Sequence, residues 1–324
     1  MRRTVVVGFV LVLLSAFCFA VSGPVAKALY VVGWTPGSVV LIRLFGSALL
    51  LLLPTLLSLR GQWGEVRRHW RTIVVYGIVA MAGVQAFFFL AVEHLSVAVA
   101  ILLEMMGAPL IIVLWMWVRT RRRPATVTFI GVAVSLVGVL LVLDFTGASI
   151  SWFGIAMALA AAACLAGYFM VSSDNSIRVP PIAVTGLGMC VGALVAAVMV
   201  ATRVLPAQFV ATDVPFAGLS VSWMFPVGLL ILFTVGAYVF GIIGIRYIGA
   251  TVGSFTNLTE VLFSAIAAWV ILAEALTLVQ MVGGLVILIG IIFIKWGDVR
   301  LERRIRDSRE FHETLPDLDS AIYR

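Results

Sequence analysis

Charge is what this chain has least of. Only 11% of its 324 residues are Asp, Glu, Lys or Arg, against about 25% in soluble domains. With 63% hydrophobic residues and a mean hydropathy of +1.17, it cannot hide its apolar surface in a soluble globule. Histidine is also scarce: His69, His94 and His312 are scattered without metal-ligand spacing. Cys18, Cys164 and Cys190 each fall inside an apolar run, where they read as small packing residues rather than disulfide partners or metal ligands. There is no glycine-rich phosphate loop ending in lysine, so ATP is not expected as the direct energy source. No Ser-His-Asp or zinc spacing shares a membrane depth, which argues against a membrane-embedded enzyme. No cofactor is expected. The net charge of +7 does not point to nucleic acid, because the basic residues lie in short connections beside apolar runs.

What the chain does have is long apolar runs. Ten are legible, at 4–22, 37–58, 72–93, 96–118, 126–144, 152–172, 182–203, 222–244, 250–272 and 277–295. Each is long enough for a helix to cross the hydrocarbon core, and none shows the alternation of a membrane β-barrel strand. The fold class is therefore an all-α polytopic membrane protein embedded in a lipid bilayer. The opening, Met1-Arg2-Arg3 followed by an apolar run, resembles a signal peptide, but with so many spans behind it retention as a first helix is expected.

Loop charge sets the orientation. With both termini inside, 19 of the 22 Lys and Arg fall in inside segments, only Lys27 and Arg203 lie towards the outside, and Arg43 lies within a span. Without the tail and its Lys295 the ratio is still 12 to two. The positive-inside rule thus predicts a multi-pass plasma-membrane protein with cytoplasmic termini. The tail, 296–324, places Val299, Leu301 and Ile305 among arginines. It reads as a solvated anchor in preference to a surface helix.

The chain also repeats itself. At an offset of 152, Gly131 and Gly138 fall on Gly283 and Gly290, Trp117 on Trp269, and Ala98 on Ala250. Near the start the offset is 146, matching Gly8 with Gly154, Ala16 with Ala162, Cys18 with Cys164 and Ala20 with Ala166. Two halves follow, 1–147 and 148–295, of five spans each. An odd number of spans sends the second half in from the opposite side. The expected architecture is thus ten transmembrane helices as two inverted five-helix repeats, an arrangement typical of secondary transporters with a midplane substrate site.

Several residues resemble the EamA-type ten-helix transporters of the drug/metabolite transporter superfamily. They are Pro24 to Lys27, Pro36, Arg43-Leu44, Ser96 to Ala98, Pro109, Thr259-Glu260 through Trp269, Ala273-Glu274, Thr277, Gln280 and the Gly283/Gly290 pair. The chain departs from the family pattern at Val261, where proline is common, and at Arg121-Arg122, the first-half counterpart of Ala273-Glu274. The resemblance implies transport of a small-molecule substrate, a metabolite or amino acid, often by export. It does not specify which one. Glu274 falls in the turn before the last span and is expected to be a capping residue at the outer surface.

The intramembrane polar residues are the candidate site. Glu260 lies about 15 Å along its span, close to midplane, where a carboxylate is costly and by default functional. Gly253, Thr256, Asn257, Glu260 and Ser264 recur at three- and four-residue spacing, a polar stripe on one helix face. It fits a substrate or proton site, or alternatively a helix–helix hydrogen-bond cluster. Glu104 lies about 12 Å into the fourth span, on a small-residue face with Ser96, Ala100 and Ala108. Two acids facing one cavity would suit a proton carrier. Arg43 fits a counter-ion to Glu104 or to an anionic substrate group, or else a side chain snorkelling to the interface. Lys27 reads as a gate or interface residue. Gln85, Asn257 and Thr256 are candidate orienting hydrogen-bond partners. The function expected is secondary transport by alternating access, with proton-coupled export as one form. The alternative is a lipid or lipid-linked-sugar flippase. Oligomeric state leaves no trace in the sequence.

Overall fold

The computed structural model describes residues 2–92, 94–95, 97–121, 126–142, 151–272, 278–279, 281–290, 292–293 and 296–297. The expectations placed on Ser96, Arg122, Ala273, Glu274, Thr277, Gln280 and the tail beyond 297 lie outside the described residues.

The first half runs α1 (Arg2–Val31), α2 (Pro36–Ser58), α3 (Trp63–Tyr76), a π-helical segment (Gly77–Gly83), α4 (Val84–Val92), α5 (Val97–Thr120) and α6 (Thr126–Val142). The second runs α7 (Trp152–Ser172), α8 (Pro181–Ala201), a hairpin of β1 (Val214–Phe216) and β2 (Leu219–Val221), α9 (Met224–Ile248), α10 (Ala250–Asn257), α11 (Thr259–Leu272) and α12 (Met281–Gly290). Among the described residues, seven helices are long and apolar enough to cross a membrane, and shorter apolar helices occupy Phe129–Gly138 and Met281–Gly290. The chain is an all-α polytopic membrane protein. Its outward surface is what a bilayer requires: Leu49, Leu53, Leu114, Val118 and Leu194 are all exposed, as apolar side chains are where the solvent is hydrocarbon.

Local chemistry sets several helix ends. Pro36 and Pro181 begin α2 and α8, where proline's missing N–H costs nothing and its fixed φ suits the first turn. The Ser151 hydroxyl accepts from the Gly154 amide at 3.3 Å and caps α7. The first helix runs beyond its expected end. It continues through Pro24 to Val31, so Lys27 sits exposed in its last turns rather than in a connection. The third passage differs too. It starts nine residues earlier than the apolar run, bends at His69 (φ −105°, ψ 15°) and contains the π segment.

The turns sort onto two faces. On one face, the α7–α8 turn is tied to the end of α9 by Arg246, whose two terminal nitrogens donate to the Val179 carbonyl at 3.3 and 3.4 Å. On the opposite face, the α8–α9 connection covers the α1–α2 turn. Trp34 Nε1 donates to the Val210 carbonyl at 2.7 Å, and Thr35 Oγ1 donates to the Pro206 carbonyl at 2.8 Å. The Ala217 amide adds a 2.9 Å bond to the Ile271 carbonyl. The hairpin turns at Ala217-Gly218, both at positive φ (50° and 78°), which matches the right-handed twist of the paired strands.

The two halves meet through the repeated glycines. A Cβ on Gly138 would stand 2.8 Å from the Gly283 carbonyl oxygen, and one on Gly290 would stand 2.8 Å from the Gly131 carbonyl oxygen. These four glycines are the two pairs related by the offset of 152. Gly131 thus meets the counterpart of Gly138, and Gly138 meets the counterpart of Gly131. Such reciprocity marks a twofold relation. Because the earlier residue of one helix meets the later residue of the other, α6 and α12 cross antiparallel. That is the signature of inverted rather than parallel repeats. Replacing either Gly138 or Gly290 by Leu is expected to overpack this crossing by about 1–3 kcal/mol. Both variants should lower the thermal midpoint in detergent by similar amounts, whereas Leu in place of the uncrowded Gly228 should not.

Candidate functional site

Two passages change their helical hydrogen-bond pattern, without breaking, where polar side chains gather. In the ninth, α10 stops at Asn257 and α11 starts at Thr259, with Leu258 as the turn residue between them. Side chains here bind the local backbone: Thr256 Oγ1 donates to the Val252 carbonyl at 2.7 Å and Thr259 Oγ1 to the Thr256 carbonyl at 2.8 Å. Such bonds compete with the helix ladder. In the third passage the π segment closes its hydrogen bonds over five residues instead of four, a feature common at functional sites. It packs closely on α8, since a Cβ on Gly192 would lie 2.6 Å from Met81 Cβ. Gln85 lies two residues after the end of the π segment and is buried.

Leu258 keeps right-handed helical angles (φ −59°, ψ −19°) and the passage runs on through it from Ala250 to Ile271, so the spacing of the predicted stripe is kept. Gly253 faces α9, where a Cβ would meet Ile245 at 3.0 Å, and the Thr256 hydroxyl is turned back on its own helix. Asn257 and Glu260 remain together: Asn257 Nδ2 donates to Glu260 Oε2 at 2.8 Å. Asn257 is buried and Glu260 is half-buried.

Arg43 of α2 reaches the same region. Its Nη1 donates to Gln85 Oε1 at 3.3 Å, while its Nε is buried without a hydrogen-bond partner among the described residues. It lies within Coulombic range of Glu260 and of Tyr238. The structure thus turns Arg43 inward, on the Glu260 side, instead of towards the interface. Glu104 of α5 is buried and lies within Coulombic range of Glu260. Two hydrogen-bonded pairs, Arg43–Gln85 from the first half and Asn257–Glu260 from the second, thus lie in one region of the bundle, with Glu104 of the first half near Glu260. Lys27 is exposed near the end of α1.

A group of tyrosines adjoins the cluster and went unnoticed in the sequence. The Tyr238 hydroxyl donates to the Ala80 carbonyl in the π segment at 3.4 Å. The Tyr238 ring meets Tyr168 edge-on at 5.6 Å, and Tyr168 stacks on Tyr76 at 6.1 Å. All three are nearly fully buried, and the hydroxyls of Tyr76 and Tyr168 make no hydrogen bond of standard geometry among the described residues. Membrane tyrosines usually mark the interface, so tyrosine inside an apolar run was the available signal.

Buried polar groups drawn from two antiparallel halves define a class: a helical membrane protein with a polar centre at an inverted-repeat interface. The EamA-like transporter family model matches residues 6–144 and 152–296, and the chain belongs to that family. It is 30% identical over 190 residues to a protein of Bacillus subtilis (strain 168) named "Uncharacterized transporter YwfM". That match covers 56% of this chain and 61% of the relative's length. A solved structure titled "Crystal structure of protein" superposes with a TM-score of 0.69 at 18% identity, covering 90% of this chain and 97% of the other. That likeness concerns the fold.

If Arg43 and Glu260 attract one another in the folded protein, Arg43→Gln and Glu260→Gln should not be additive. A double-mutant cycle on unfolding in mixed micelles is expected to give a coupling of about 0.5–3 kcal/mol. Additivity within about 0.5 kcal/mol would show the two charges to be independent.

Proposed function

We propose that this protein is a secondary transporter that moves a small metabolite or amino acid across the plasma membrane by alternating access. The carrying observation is the convergence of Arg43, Gln85, Glu104, Asn257 and Glu260 from both halves on one buried region. A site holding a guanidinium and two carboxyls fits a solute with groups of both signs, as an amino acid has. The Arg43 guanidinium is the group that would take a substrate carboxylate, and Glu104 and Glu260 are those that would take an ammonium group. Isolated charges at this depth are expensive, and a substrate that completes the pairing lowers that cost.

The halves 1–147 and 148–295 act as the two rocking units. The arginine-rich face is cytoplasmic, as are both termini, and the α8–α9 connection is external. A proton on Glu104 or Glu260 biases the exchange between facings and couples export to the proton gradient. Lys27 stands near the external mouth, as a gate or interface residue, with Gln85, Asn257 and Thr256 orienting the site.

The test is solute flux in proteoliposomes against an amino-acid panel, with and without a pH gradient. Flux should depend on the gradient, and the Glu260→Gln/Glu104→Gln pair should abolish that dependence. Flux indifferent to both would remove the proton from the mechanism. Loss of folded protein in place of flux would make the pair structural.

A further inference from the structure

Away from the central cluster, a cavity of about 410 Å³ opens at the arginine-rich face. It is lined by Arg68 and His69 of α3 and by Asn175, Ser176 and Arg178 of the α7–α8 turn. The volume falls within the range of small-ligand pockets, roughly 300–1,000 Å³. All five lining residues are polar and none is acidic. Two acids border the cavity: Asp174 Oδ1 accepts from the Ser176 amide at 2.8 Å, and a Glu65 carboxylate oxygen lies 3.6 Å from His69 Nδ1.

The walls are held in place. The bend of α3 at His69 turns this part of the helix, and His69 Nδ1 lies 3.1 Å from the Glu65 carbonyl. The opposite wall is anchored by Arg246 on Val179, the residue after Arg178. Two guanidinium groups from the two halves thus face one polar space. Arginine's planar fork suits phosphate oxygens and binds them in pairs.

The depth of the cavity follows from its surroundings. Trp63 and Trp70 on α3 are both about half exposed. Arg67 and Arg71 are exposed beside them, and the Arg71 guanidinium lies 5.6 Å from the centre of the Trp70 ring. Exposed tryptophan among arginines is the mark of the headgroup region, and basic pockets between helices at that level take anionic lipid headgroups.

We propose that this cavity binds a phosphate ester at the membrane surface, held between Arg68 and Arg178, and that the bound phosphate links the first half to the second at this face. An anionic phospholipid headgroup is the source that the tryptophan level favours; a soluble phosphate compound offers the same chemistry. The site does not depend on what the central cluster carries.

The experiment compares thermal midpoints of the full chain in nanodiscs of phosphatidylglycerol and of phosphatidylcholine, the latter with and without inorganic phosphate. Three proteins are compared: the unaltered chain, Arg68→Gln/Arg178→Gln, and Arg67→Gln/Arg71→Gln. The second pair removes equal charge outside the cavity lining. Phosphatidylglycerol should raise the midpoint of the unaltered chain and of the Arg67/Arg71 pair, and should lose most of that shift in the Arg68/Arg178 pair. A shift produced instead by inorganic phosphate in phosphatidylcholine, with the same dependence on Arg68 and Arg178, supports the site and assigns it to a soluble ligand. Equal loss in both pairs, or no shift from either phosphate source, overturns the proposal.

Discussion

Five helical passages leave a chain on the face opposite its starting point, so two five-passage repeats must lie upside down to one another. The rest of this molecule depends on that constraint. It is visible atom by atom at the α6–α12 crossing, where Gly138 meets the Gly283 carbonyl and Gly290 meets the Gly131 carbonyl. In lipid there is little hydrophobic force between helices, and small residues that let backbones touch carry the association. The glycine spacing of seven, repeated in both halves, is therefore an architectural requirement. A side chain at either position would separate the halves at their own symmetry axis.

Inversion brings different faces of the two halves together, and the polar centre assembles between them. Arg43 and Gln85 come from α2 and α4, Asn257 and Glu260 from either side of Leu258, and Glu104 from α5. None of these groups would be tolerable in lipid alone. Gathered, they supply hydrogen bonds and opposite charge to one another. The two irregular stretches, the π segment and the Leu258 turn, belong to the same economy of backbone. Irregular helix is tolerated at membrane depth where it lines protein or a cavity rather than lipid.

Much of this was legible beforehand, and for definite reasons. The limits of α7 and of the α10–α11 passage follow directly from their apolar runs, and the offset of 152 located the glycines that prove to meet. Other features were not legible. Nothing in Gly77-Ile-Val-Ala-Met-Ala-Gly83 distinguishes a π segment from an ordinary apolar helix, because the extra residue is accommodated against α8. The stripe placed Asn257 beside Glu260, but spacing along one helix says nothing of which other helices face it. Local spacing could not say whether Arg43 turns inward, since its partner Gln85 lies 42 residues away. The tyrosines were missed for the same reason: their contacts join α3, α7 and α9.

The central claim is that the polar centre is a place a solute visits rather than a strut. It is tested most directly by thiol accessibility at Asn257→Cys, in a chain whose Cys18, Cys164 and Cys190 are replaced by Ala. A site that opens alternately reacts with a membrane-impermeant thiol reagent added from either side of the membrane, and a transported solute slows the reaction from both. A folded, correctly inserted variant that reacts from neither side, whatever solute is present, would show that Arg43, Asn257 and Glu260 hold the bundle together and nothing more.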